Sequence, residues 1–147
     1  MYGSIIVGTD GSETAAKAVG AAIDLARLAG AKLEIVSAYE PMAAHRVYMA
    51  AHEVPVDPQW AVNLREEVDA TLAATAETAR AAGVEPRTHA REGDPADAIL
   101  DVAEELGADL IVVGNRGMTG AKRFLLGSVP NKISHHAPCS VMIVRTS

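Results

Sequence analysis

Residues 108–136 read ADLIVVGNRGMTGAKRFLLGSVPNKISHH, and the fold turns on this stretch. Leu110-Ile111-Val112-Val113 is an apolar, largely β-branched run of the length of one buried strand. It breaks at Gly114, continues through glycines at 117, 120 and 127, and resumes as a short helical pattern from Ser128. A strand, a glycine-rich loop and a helix start suit a phosphate. Glycines let main-chain N–H groups come close to an anion, and a helix N-terminus adds donors and a favourable dipole.

The charges run the same way. The chain of 147 residues carries −6, and every Asp and Glu lies at or before Asp109. Beyond it stand only Arg116, Lys122, Arg123, Lys132 and Arg145, so residues 1–109 carry −11 and the remainder +5. A basic segment on an acidic chain suits a small anion better than a polyanion. No long basic surface for nucleic acid is present. The length predicts one domain over residues 1–147 with a sizeable core of Ala, Val, Ile and Leu, since aromatics make up only 3%. Cys139 is the single cysteine and stands at the head of an apolar strand, which reads as a buried structural thiol in a reducing compartment. No leader pattern opens the sequence and no apolar run approaches membrane-spanning length. A soluble, cytoplasmic protein is the expectation.

Outward from the central stretch, strands and helices alternate. Ser4–Thr9 predicts a first strand buried on both faces. Asp10-Gly11-Ser12 is a turn, with Ser12 or Thr14 to cap a helix to about Ala29 whose apolar positions are Ala15, Val19, Ala22, Ile23 and Ala26. Ala31–Tyr39 predicts a second strand. Glu40–Pro58, with three prolines, reads as a long irregular loop. Gln59–Ala82 is an alanine-rich helix with Trp60, Leu64, Val68, Leu72 and Ala79 on one stripe. Val84–Arg91 is a more polar strand, expected at an edge. Asp94-Pro95 opens a helix buried through Ala96, Ile99, Leu100, Ala103 and Leu106, and Gly107 stops it. Ser128 is expected to cap the last helix, and Ser140–Val144 to form the last strand. Such alternation implies an open parallel sheet with helices on both faces, a three-layer α/β/α fold. Ligands bind such sheets beyond the strands' carboxyl ends, where strand order reverses.

Gly114-x-x-Gly117, nine residues, then Gly127-Ser128 resembles the G-2x-G-9x-G-S/T signature of nucleotide-binding universal stress proteins. Ile5-Ile6-Val7-Gly8-Thr9-Asp10-Gly11-Ser12 is similar to that family's first strand and loop, and Cys139–Val144 to its last strand. The likeness spans nearly the whole chain. It implies a Rossmann-like, adenine nucleotide alpha hydrolase-like sheet of order 3-2-1-4-5. Thr9-Asp10 and Gly114–Gly117 would then face each other across one crevice.

Within that crevice Asp10 would accept hydrogen bonds from ribose or adenine or hold a metal on the phosphates; the other reading is a turn aspartate bonded to its own loop. Thr9 would add a hydroxyl. The resemblance suggests that Ser37 and Ala38 offer main-chain groups to the adenine edge. Gly114 and Gly117 would let the chain turn beneath sugar and phosphates, with Asn115 between them and Arg116 either a phosphate clamp or a solvated cation. Gly127, Ser128 and Val129 would supply N–H groups and one hydroxyl, and Ser128 would also serve as helix cap. No G-x-x-x-x-G-K-[ST] or G-x-G-x-x-G motif occurs, the five histidines lack metal-ligand spacing, and Glu66-Glu67 and Glu104-Glu105 read as helix-surface charges. No general base can be placed beside a water that would attack a γ-phosphate.

The leading expectation is therefore an adenine-nucleotide-binding stress protein: ATP, with Mg2+ on its phosphates, orders the glycine loop, and the ordered state is the signal. Cyclic AMP is an alternative ligand. A slow ATPase in the same pocket and a ligand-free interaction module are the alternative functions. Whichever holds, the apolar last strand points to a homodimer.

Overall fold

The chain alternates strand and helix: β1 (Ser4–Gly8), α1 (Glu13–Ala29), β2 (Lys32–Tyr39), α2 (Pro58–Ala81), β3 (Pro86–Glu92), α3 (Pro95–Leu106), β4 (Leu110–Gly114), α4 (Ser128–His136) and β5 (Ser140–Val144). This computed structural model describes residues 2–39, 51, 58–115 and 127–146, with the side chains of α2 from Arg65 onward. Most of the long loop expected at 40–58, the Trp60 and Leu64 side chains, and Arg116, Gly117, Gly120, Lys122 and Arg123 lie outside the described residues.

All strands pair in parallel in one sheet of order β3-β2-β1-β4-β5. The chain builds outward from β1 to β3, then crosses back to place β4 on the other side of β1. Alternation along the strands divides the core in two. Ile5, Val7, Leu33, Ile35, Leu110 and Val112 meet α1 and α2, whereas Ile6, Val36, Ile111 and Val113 meet α3 and α4. The inner strands are thus buried on both faces, as their near-continuous apolar runs require. The polar β3 is an edge, as expected.

Local chemistry sets the ends of the helices. Ser12 caps α1 by accepting the Ala15 N–H at 3.2 Å, and Asp94 caps α3 by accepting that of Asp97 at 3.1 Å. Gly30 and Gly107 end the same two helices in the left-handed region. Several boundaries and faces differ from the sequence reading. On α1 Ala18 is buried where Ala15 is only half-buried, and on α3 Val102 is buried while Leu100 and Leu106 are partly exposed. β3 begins at Pro86, because Val84 turns into the core before the strand starts. The apolar β5 is an edge whose Met142 and Ile143 are exposed, and Cys139 just before it is half-buried. Burial, and then the negative charge of Asp109, pushes the Cys139 thiol up from its ordinary value.

One core feature was not anticipated. Glu34, in the middle of β2, is fully buried. It accepts hydrogen bonds from the Arg87 guanidinium and sits 2.8 Å from His89 Nε2. Arg87 and His89 are the register partners of Glu34 and Val36 across the β2–β3 ladder, so all three side chains share one sheet face. A buried carboxylate persists only when paired and hydrogen-bonded in this way.

Candidate functional site at the strand divergence

β1 and β4 pair from Ile5↔Leu110 to Val7↔Val112 and then separate. β1 turns through Asp10-Gly11 into α1, and β4 runs through Gly114 to Asn115. This divergence is the switch point at which open α/β sheets bind ligands.

On the β1 side, Thr9 is buried. Its N–H donates to Val36 O at 3.0 Å and its hydroxyl oxygen accepts the Gly11 N–H at 3.1 Å. The period-two alternation turns its side chain toward α1 and α2, where it lines a groove of about 420 Å³ with Gly11, Ser12, Ala16 and Thr71. Asp10 is exposed, and its Oδ1 accepts the Ser12 N–H at 2.9 Å. That bond is the Asx turn of the second reading, and it leaves the carboxylate on the surface at the carboxyl end of β1.

On β2 the two expected residues separate. Val36 O accepts from Thr9 on the β1 side, and Tyr39 O accepts from Gly93 beyond β3, at 2.8 Å. Successive carbonyls of a strand point to opposite sides, so Ser37 faces β3 and Ala38 faces β1, past the last β1 pair. The Ala38 main chain therefore borders the crevice, while that of Ser37 belongs to the β2–β3 ladder.

On the β4 side, Asn115 is a junction. Its N–H donates to Val144 O at 2.9 Å and its carbonyl accepts the Gly127 N–H at 3.0 Å. Its side-chain Oδ1 accepts both the N–H and the hydroxyl of Thr146, at 2.8 and 2.9 Å. The expected helix cap is corrected here. Gly127 is the N-cap of α4 and Ser128 its first helical residue, with no side-chain cap bond. The Gly127 N–H, which the sequence reading offered to phosphate, here donates to Asn115 O. A helix that begins at Ser128 and has Pro130 in its first turn gives the Ser128 and Val129 N–H groups no intrahelical acceptor. Amides left unpaired in this way, with a helix dipole behind them, suit an anion.

Gly8, Thr14, Ala15, Val113, Gly114, Val129 and Thr146 enclose a cavity of about 20 Å³ between the diverging strands. That is room for about one water. A Cβ on Gly114 would stand 3.2 Å from the Thr146 methyl, so the glycine admits this close approach. Any ligand larger than water must lie outside this plug, over the strand ends and the start of α4. Lys132 is turned away, 2.7 Å from Asp97 and 3.6 Å from Asp94, and the Asp97 hydrogen bond raises its pKa. Lys17 donates to Thr146 O at 3.0 Å. Neither Lys17 nor Thr146 was singled out from the sequence. Their contacts span 129 and 31 residues, and no local pattern announces them. Among the described residues no three His, Cys, Asp or Glu side chains gather to hold a metal, and no helix is long and apolar enough to cross a membrane.

A profile of the universal stress protein family matches residues 1–145. The chain belongs to the universal stress protein family. A universal stress protein of Mycobacterium tuberculosis is 40% identical over 149 residues, covering 99% of this chain and 98% of the relative. Among solved structures, a universal stress protein in complex with cAMP is 34% identical with a TM-score of 0.74, covering 99% of this chain and 98% of the other. An Archaeoglobus fulgidus universal stress protein in complex with dAMP is 25% identical with a TM-score of 0.70, covering 97% of each chain. The five-stranded order and the helices on both faces are thus a universal stress protein fold, Rossmann-like in architecture.

Proposed function

We propose that this universal stress protein binds an adenine nucleotide over the carboxyl ends of β1 and β4, with the phosphates at the start of α4. One observation carries the reading: the Ser128 and Val129 amides open at the point where β1 and β4 part. The related proteins solved with cAMP and dAMP support it. In this arrangement the Ala38 main chain meets the adenine edge and the Asp10 carboxylate accepts from ribose. Gly114 and Asn115 lie beneath sugar and phosphates, and Arg116 and Gly117, outside the described residues, are the further proposed contacts. Buried Thr9 and Ser37, with Gly127 at the start of α4, frame the site.

ATP is the proposed ligand. When bound, Mg2+ would neutralise charge on its phosphates, with the exposed Asp10 carboxylate at the carboxyl end of β1 to hold it. Binding orders the Gly114–Gly127 loop, and that ordered state is the stress signal in the cytoplasm, a population shift that needs no catalysis. One folded domain, paired with a second copy through β5, is the proposed assembly. Cyclic AMP is the second reading, favoured by the cAMP complex of the 34%-identical relative.

Equilibrium dialysis against ATP, ADP, AMP and cAMP is the test. Saturable binding with ATP tightest, and a melting temperature that rises with added ATP, is the expected result. Tightest binding by cAMP would replace the ATP reading with the second. No binding by any of the four at millimolar concentration would reject both.

A further inference from the structure

Thr146 is almost fully buried although it lies beyond the last strand and directly follows an exposed arginine. Every polar group that it carries is engaged. Its N–H and hydroxyl both donate to Asn115 Oδ1, and its carbonyl accepts from Lys17 Nζ. Its methyl closes on Gly114. Asn115 in turn holds Val144 O through its N–H and the Gly127 N–H through its carbonyl. One asparagine thus fastens the end of β5, the end of β4 and the cap residue of α4.

We propose that Thr146 is a positioning residue that, by clasping Asn115, sets the Gly127 cap and hence the aim of the Ser128 and Val129 amides. The main-chain bond from Gly127 to Asn115 ties the end of β4 directly to the start of α4. With Oδ1 fixed by two donors, the Asn115 side chain cannot rotate, and the peptide plane carrying its carbonyl is held toward Gly127. Without the hydroxyl, one donor remains and the plane can swing. The α4 amides and the chain beyond β5 are then one mechanical unit. Anything that orders residues 144–146 also sharpens the anion site, and an occupied anion site stabilises the clasp by the same factor. The coupling to ligand rests on the nucleotide reading above; the clasp itself does not.

The experiment compares the full-length protein with Thr146→Val and Thr146→Ser. Valine keeps the methyl against Gly114 and the N–H bond but removes the hydroxyl; serine restores the hydroxyl. Amide hydrogen exchange is read at Gly127 without ligand, with Ala137 at the far end of α4 as the internal control. Ala137 donates to Ile133 and has no link to the clasp. Loss of one intramolecular hydrogen bond predicts about threefold to tenfold faster exchange at Gly127 in Thr146→Val. Ala137 should stay unchanged, and Thr146→Ser should behave as the unaltered protein. ATP affinity, measured by dialysis on the same proteins, should fall by at least threefold in Thr146→Val although Thr146 touches no ligand. Unchanged Gly127 exchange in Thr146→Val overturns the clasp. Faster exchange with undiminished ATP affinity overturns its role in positioning the amides. If the unaltered protein binds no nucleotide, the functional reading fails, and the Gly127 exchange alone decides for or against the clasp.

Discussion

Gly11 illustrates how much a single residue fixes at the mouth of the site. Its φ of +82° lies in the left-handed region, and a Cβ there would stand 3.0 Å from Thr71 Oγ1 and 3.2 Å from Thr71 Cγ2. Backbone strain and crowding therefore act together in Gly11→Ala. A loss of about 1–3 kcal/mol in urea unfolding is expected, the range for an L-residue held at positive φ. Gly30, with a similar φ but nothing within 4 Å, should show the strain alone and lose less. Glu34 gives a second prediction at this scale. Arg87→Ala leaves the fully buried carboxylate with His89 as its remaining side-chain partner and should cost about 2 kcal/mol. Glu34→Gln removes the buried charge itself, and the exposed Arg87 is then free to turn to solvent. It should cost less, a ranking that paired urea titrations check. Sequence patterning could have flagged this cluster: a lone acid interrupts Leu33-Glu34-Ile35, and Arg87 and His89 recur at the strand period on β3. The turn role of Asp10 was legible because an Asx turn is local. The Asn115–Thr146 bond was not, since only the parallel pairing of β4 with β5 brings the two residues together.

At the scale of elements, α3 is strapped to edge strand β3 by Arg91 and Glu105, with two hydrogen bonds of 2.9 and 2.7 Å. The Arg91 hydrogen bond holds the Glu105 carboxyl below its ordinary range. A carboxyl depressed in the folded state stabilises it fully above the unfolded Glu value, and the contribution disappears as pH falls through the depressed one. Arg91→Gln should therefore melt below the unaltered protein at neutral pH, and the gap should close as the solution is acidified beyond that range. Melting curves of both proteins from pH 7 to pH 3 read this; a gap constant across the series would assign the loss to packing instead. Element identities were legible because capping residues and glycine stops are local signals: Ser12 and Asp94 cap where expected, and Gly30 and Gly107 close their helices as expected. The cap of α4 was misread. Ser128 is a good capping type, but Gly127 is bonded to Asn115 at the end of β4, and that tertiary bond fixes the helix start one residue earlier. The start of β3 slipped for a similar reason, because core packing of Val84 bends the chain before the ladder begins.

For the whole molecule, the strand order leaves β3 and β5 as the two edges, and they are unlike. β3 carries Arg87, His89, Arg91 and Glu92, the charged, polar pattern that blunts an edge. β5 carries Val141-Met142-Ile143-Val144, with Met142 and Ile143 each 36% exposed. Alternation was enough to predict a parallel α/β sheet, but the order 3-2-1-4-5 came from family likeness, since alternation alone leaves the side of each crossover open. With that order in place, the asymmetry of the edges becomes an argument about assembly. An unpaired apolar edge is a template for another strand, and two identical edges related by a two-fold axis satisfy each other in antiparallel register. Light scattering at micromolar concentration should give twice the 15.3 kDa of one chain. Ile143→Lys, which sets a charge on each of the two facing strands, should return it to one. A lysine at the already polar Thr88 of the opposite edge should leave the mass doubled. If the unaltered protein scatters as a single chain, β5 is not the interface.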